Sequence, residues 1–109
     1  MSSEAERRRV ARQRTLLGAK FVSEQPALTI DCTIRDFTEH GARIVFPALV
    51  AVPVHGWLVD VQAGLGYECQ TIWRVAGMRG VKFLRTLDIR TPQPGWLNHL
   101  HRLWLVGSA

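Results

Sequence analysis

Leu28-Thr29-Ile30-Asp31-Cys32-Thr33-Ile34-Arg35 alternates apolar and polar residues without a break. Successive side chains of a strand point to opposite faces, so this period of two belongs to a strand with one face in a core and the other in water. Glu39-His40-Gly41 then supplies a turn, with Gly41 offering the left-handed backbone that such a turn uses. Ala42 to Phe46 reads as the returning strand.

Upstream, Thr15 to Val22 has the composition of a first strand, interrupted by Gly18, and Ser23 to Ala27, with Pro26, reads as a turn. Downstream, Pro47 to Gly56 is a connection containing two prolines. Trp57, Val59 and Val61 alternate with Leu58, Asp60 and Gln62 in another strand, and Gly64 and Gly66 bracket a hairpin turn. Tyr67 to Val75 and Met78 to Leu84 form a strand pair around Ala76-Gly77. Short strands with tight connections predict an antiparallel barrel or sandwich rather than a βαβ sheet.

The C-terminus changes period. Thr91 is suited to cap a helix and Pro92 to its first position. Trp96, Leu97, Leu100, Leu103 and Trp104 fall on one helical stripe, which would bury two large indoles over a barrel opening or an exposed sheet face. The expected fold is therefore all-β, an antiparallel barrel or sandwich of about six strands over residues 15–109 with a C-terminal helix at about 92–105, behind a flexible basic arm, 1–14. A chain of 109 residues is enough for one such domain with a modest core.

The net charge of +5 is unevenly placed. Arg7, Arg8, Arg9, Arg12 and Arg14 against Glu4 and Glu6 give the arm three of those five charges, so the barrel itself is not a broad cationic surface. Cys32 and Cys69, the only cysteines, fall on apolar strand faces and read as reduced core thiols. With no apolar leader and no stretch approaching a membrane span, the expected compartment is the cytoplasm.

Two short motifs carry the chemistry. Arg8-x-x-x-Arg12 lies in the arm, and Asp36-x-Thr38-x-x-Gly41 closes the alternating strand. Guanidinium forks suit phosphate and the O6/N7 edge of guanine, whereas a carboxylate accepts from a guanine N–H edge. Asp36 and Thr38, two apart on an extended segment, point the same way, and Gly41 lets the backbone turn sharply or approach a ligand closely. A phosphorylated guanine nucleotide is the leading ligand, against two plainer readings: an Asp/Thr pair that only organises a β-turn, and a solvated basic tail. His99 and His101 diverge on a helix, and His40 and His55 have no ligand cluster at metal spacing. Trp73 reads as a packing residue. No nucleophile elbow, phosphate loop or paired carboxylates argue for an enzyme.

From Glu6 to about Leu84 the sequence resembles the PilZ domain family, small β-barrel receptors of cyclic di-GMP, and the resemblance implies a six-stranded antiparallel β-barrel. Arg7-Arg8-x-x-x-Arg12 looks like the family's arginine motif, and Asp36-x-Thr38-x-x-Gly41 like its Asp/Asn-x-Ser-x-x-Gly motif, with threonine in place of the usual serine. Gly41-Ala42-Arg43-Ile44, Trp73-Arg74 and Gly80-Val81-x-Phe83 are similar to the surrounding strand signatures. The resemblance implies that Arg8 and Arg12 grip phosphates and guanine edges and that Arg7 adds charge. It also implies that Asp36 accepts from a guanine, while Thr38 and the backbone near Gly41 complete the pocket. It raises Trp73 as a base-stacking surface. The implied activity is that of a non-enzymatic adaptor with no cofactor: cyclic di-GMP orders the arm and changes the surface met by a partner protein. A PilZ-like interaction module that binds no nucleotide is the main alternative. A nucleic-acid-binding barrel is disfavoured by the near-neutral domain and the scarcity of aromatics beside basic residues.

Overall fold

In the computed structural model, residues 13–24, 27–47 and 51–108 are described. Six strands, β1 (Gln13–Ser23), β2 (Leu28–Phe37), β3 (Gly41–Val45), β4 (His55–Asp60), β5 (Leu65–Val75) and β6 (Met78–Asp88), close into a barrel in the order β1-β2-β3-β6-β5-β4. Every pairing is antiparallel, and β1 seals the barrel against β4 through Lys20–Val59, Phe21–Leu58 and Val22–Trp57. The first strand starts two residues earlier than its composition suggests, taking Gln13 and Arg14 out of the expected arm.

The interior follows the alternation of β2. Cys32 and Ile34 are buried with Phe21, Ile44, Leu58, Cys69 and Val81. Burial pushes both thiols up to about 12, so Cys32 and Cys69 are protonated packing groups. Tyr67 stacks on Phe83 at 4.6 Å and meets Phe37 edge-on at 5.3 Å, filling one end of the barrel.

Strand β4 is buried on both faces. Leu58 points into the barrel, but Trp57 and Val59 belong to a second core outside it, with Val22, Ile89 and Leu100. The apolar face read from Trp57, Val59 and Val61 is thus the outer one. A 3-10 turn (Gly95–Leu97) and helix α1 (Asn98–Gly107) cover it with Trp96, Leu97, Leu100, Leu103 and Trp104. Of the two surfaces open to that stripe, the helix takes the sheet face. Leu100 is completely buried, while Trp96 and Trp104 stay half-buried at the rim.

The helix also starts later than Thr91-Pro92 predicts. Pro94 is extended at φ −73°, ψ 145°, and the residue before a proline is held out of the helical region. Gln93 is spent on the loop instead, its side-chain amide donating to the Asp88 carbonyl at 2.8 Å.

Arg79 is a buried cation that the sequence pattern does not flag, being 6% exposed on the inward face of β6. It donates to the carbonyls of Val52 (2.5 Å) and Pro53 (2.9 Å) and to Thr71 Oγ1 (3.2 Å), with its guanidinium 5.9 Å from the Phe46 ring centre. Burial, and then Arg74, lowers its pKa. These bonds pin the β3–β4 connection to the barrel.

Candidate functional site

The Asp36 carboxylate reaches the outer surface because β2 departs from its own pattern. Strict alternation from Ile34 would send Asp36 into the core. The pairing instead runs Ile34–Ile44 and then Asp36–Arg43, with Arg35 as the extra residue of a β-bulge. Beyond the bulge Asp36 faces outward, and Phe37 takes the inward place against Tyr67 and Phe83.

The same device acts in β5. Thr71 pairs with inward-facing Val81 and Trp73 pairs with Gly80, leaving Ile72 as the extra residue. Trp73 is consequently turned out of the barrel and is 41% exposed. This corrects the reading of Trp73 as a packing residue. Its indole lies across Gly80, where an added Cβ would come within 2.1 Å of Nε1.

These two bulges, with a further register shift in β1 between Arg14 and Leu17, put five residues in one row across the sheet: Trp73 (β5), Gly80 (β6), Arg43 (β3), Asp36 (β2) and Arg14 (β1), each paired with the next. Cross-strand partners share a face, so Trp73, Arg43 and Asp36 line a single cleft of about 380 Å³, with Thr38, His40 and Lys82 on its walls. Asp36 and Arg43 form an ion pair, with side chains 15% and 41% exposed. Among the described residues Arg43 Nε is enclosed and has no hydrogen-bond partner.

Thr38 and Gly41 build the cleft wall rather than project from it. Thr38 Oγ1 accepts from the backbone N–H groups of His40 and Gly41, each at 3.1 Å, and lies 3.3 Å from the Gly41 carbonyl. Thr38 N–H closes the turn onto Gly41 O at 2.8 Å. The plainer turn-forming reading therefore describes Thr38 but leaves out Asp36. Gly41 is not in the left-handed region, contrary to the expectation from the turn. Its missing side chain serves a close approach instead, since a Cβ there would sit 2.2 Å from the Val81 carbonyl oxygen of β6.

Arg7, Arg8 and Arg12 lie outside the described residues. The strand that follows them opens at Gln13 opposite Phe37, with Arg14 opposite Asp36, at the cleft end of the sheet.

A second polar cluster occupies the outer wall beside the 3-10 turn, in a cleft of about 400 Å³ lined in part by His55, Glu68, Arg85 and Trp96. Glu68 accepts from Arg85 Nε at 2.8 Å and contacts His55 Nε2 at 2.7 Å. Burial works to raise its pKa, but the bonds from His55 and Arg85 outweigh it and hold the carboxyl below its ordinary range. The Arg85 guanidinium lies 5.1 Å from the Trp57 ring centre. The pairing of His55, Glu68 and Arg85 needs the register of three strands, which no local spacing displays.

Among the described residues no group of three His, Cys, Asp or Glu could hold a metal ion, and no helix is long and apolar enough to cross a membrane. His101 Nδ1 sits 2.9 Å from the Ile89 carbonyl and so helps dock α1, while His99 is exposed beside Trp96. No protein-family model matches the chain, and no curated protein matches it either.

Proposed function

We propose that the protein is a cytoplasmic, non-enzymatic receptor for cyclic di-GMP that alters a partner protein's activity in bacterial second-messenger signalling. The observation that carries this reading is the row in which two bulges bring a carboxylate, a guanidinium and an exposed indole to one cleft. An indole offers a face for base stacking, the carboxylate an acceptor for guanine N–H groups, and the guanidinium a donor for O6 or phosphate. Lys82 adds a cation at the rim.

The arm supplies the remaining charge. Arg12 directly precedes Gln13, and Arg8 is four positions further back. At up to about 3.6 Å per residue, Arg7, Arg8 and Arg12 can all reach a ligand seated at Asp36. Ligand capture would then draw the arm over the barrel and change the surface a partner meets.

The competing reading is a protein-contact module that binds no nucleotide. It is favoured by Ile72, Val75 and Leu84, large apolar side chains exposed on the β5–β6 hairpin. Calorimetric titration with cyclic di-GMP, GTP and a single-stranded oligonucleotide separates these readings. The receptor binds cyclic di-GMP alone with useful affinity, and Arg8→Ala or Arg12→Ala abolishes binding without lowering the melting temperature. An interaction module gives no heat with any of the three.

A further inference from the structure

We infer that Arg43 is the specificity-determining partner of Asp36, and that the two together read the hydrogen-bonding edge of a guanine base and reject adenine. This rests on the guanine-nucleotide reading above and adds to it a residue outside both sequence motifs. Arg43 is placed by register: the bulge at Arg35 sets Asp36 directly opposite it on the outer face, and the two side chains are ion-paired at the cleft. An enclosed guanidinium N–H without a partner is unfavourable for folding, and structures keep such groups where position matters more than stability. Among the described residues Arg43 Nε is in that condition, while the side chain as a whole is 41% exposed at the cleft.

The chemistry follows from a donor fixed beside an acceptor. Guanine presents O6, an acceptor, next to N1–H and N2–H₂, both donors. In the pose that sets O6 on the Arg43 fork, N1–H and N2–H₂ face the Asp36 carboxylate. Its two oxygens have lone pairs enough for Arg43 and the base together. Adenine in the same pose sets N6–H₂ against the guanidinium and N1 against the carboxylate, so both contacts turn repulsive. Arg43 and Asp36 cannot exchange places, because each is fixed on its own strand. Discrimination thus comes from repulsion of the wrong base as well as attraction of the right one.

The test is calorimetric titration of the full chain with cyclic di-GMP and with cyclic di-AMP, for wild type, Arg43→Met and Arg43→Lys. The methionine fills the same volume, and the lysine keeps a cation beside Asp36, which preserves the fold if loss of charge there does not. Both variants are expected to lose about tenfold or more in cyclic di-GMP affinity, with cyclic di-AMP affinity unchanged or improved. Loss of selectivity in Arg43→Lys separates the fork from mere charge. Equal weakening of both dinucleotides, or a wild-type preference in either variant, overturns the inference while leaving the receptor reading intact. A wild-type chain that binds neither dinucleotide overturns the receptor reading and this inference with it.

Discussion

Replacing Gly41 by alanine should be among the most damaging single-methyl changes in the barrel. The added Cβ would lie 2.2 Å from the Val81 carbonyl oxygen and 3.3 Å from the Lys82 Cα, both backbone atoms of β6. Relief requires the strands to part by roughly 1 Å, since non-bonded carbon and oxygen rarely approach below about 3 Å. Strand β3 is only five residues long and is paired on both sides, so it cannot shift without losing ladder hydrogen bonds. Overpacking costs about 1–3 kcal/mol, and the upper end applies where backbone, not side chain, is struck. For a domain of this size that lowers Tm by on the order of 10–20 °C. Gly18→Ala is the matched control: nothing lies within 4 Å of its added Cβ, so it should be neutral or stabilising by about 0.5 kcal/mol. Thermal denaturation followed by circular dichroism, without ligand, compares the two. A Gly41→Ala variant melting with wild type would mean that β6 does not approach β3 in this way.

Gly80→Ala should act differently, because its Cβ would strike the movable Trp73 indole. The melting temperature should fall much less than for Gly41→Ala, while cyclic di-GMP affinity and Trp73 emission both change. Leu100→Ala removes the fully buried anchor of α1 and should cost about 2–5 kcal/mol, read as a lower denaturant midpoint; an unchanged midpoint would mean that α1 is not docked on the barrel. Asp88 is held down to about 2 from an ordinary 3.8, chiefly by the side-chain hydrogen bonds from Arg90 and then by its backbone N–H. A depressed carboxyl stabilises the fold above about pH 3.8, and that contribution is lost as pH falls through about 2. Carboxyl NMR titration should place Asp88 near 2 and show it return upward in Arg90→Ala; an unmoved titration would refute the pairing.

The barrel was legible because β2 and β4 each carry a usable period, and Ala76-Gly77 marks the turn between β5 and β6. Alternation in 28–35 assigns the inner face correctly, and the stripe from Trp96 to Trp104 finds the helix face. What was hidden follows from pairing across strands. Alternation alone sends Asp36 and Trp73 inward, and only the bulges at Arg35 and Ile72 bring them out. One local signal existed in β2: apolar Phe37 stands out of phase with Ile34, the mark of an inserted residue. Arg43 carries no such mark, because its partner is chosen by the turn that brings β3 back along β2. Trp57 lies on the apolar face that its alternation indicates, yet that face is outside the barrel, since nothing in a period of two says which side a helix will cover.

The proposed receptor takes its guanine nucleotide in the cleft on the Trp73–Gly80–Arg43–Asp36 row. Nitrogen-15 NMR during titration of the full chain with cyclic di-GMP tests it most directly. Saturable shifts are expected, centred on the Trp73 indole N–H and the amides of Thr38, Arg43 and Gly80, with Trp57, Glu68 and Arg85 in the second cleft unmoved. Shifts centred on that second cleft, or a spectrum that does not change, would contradict it.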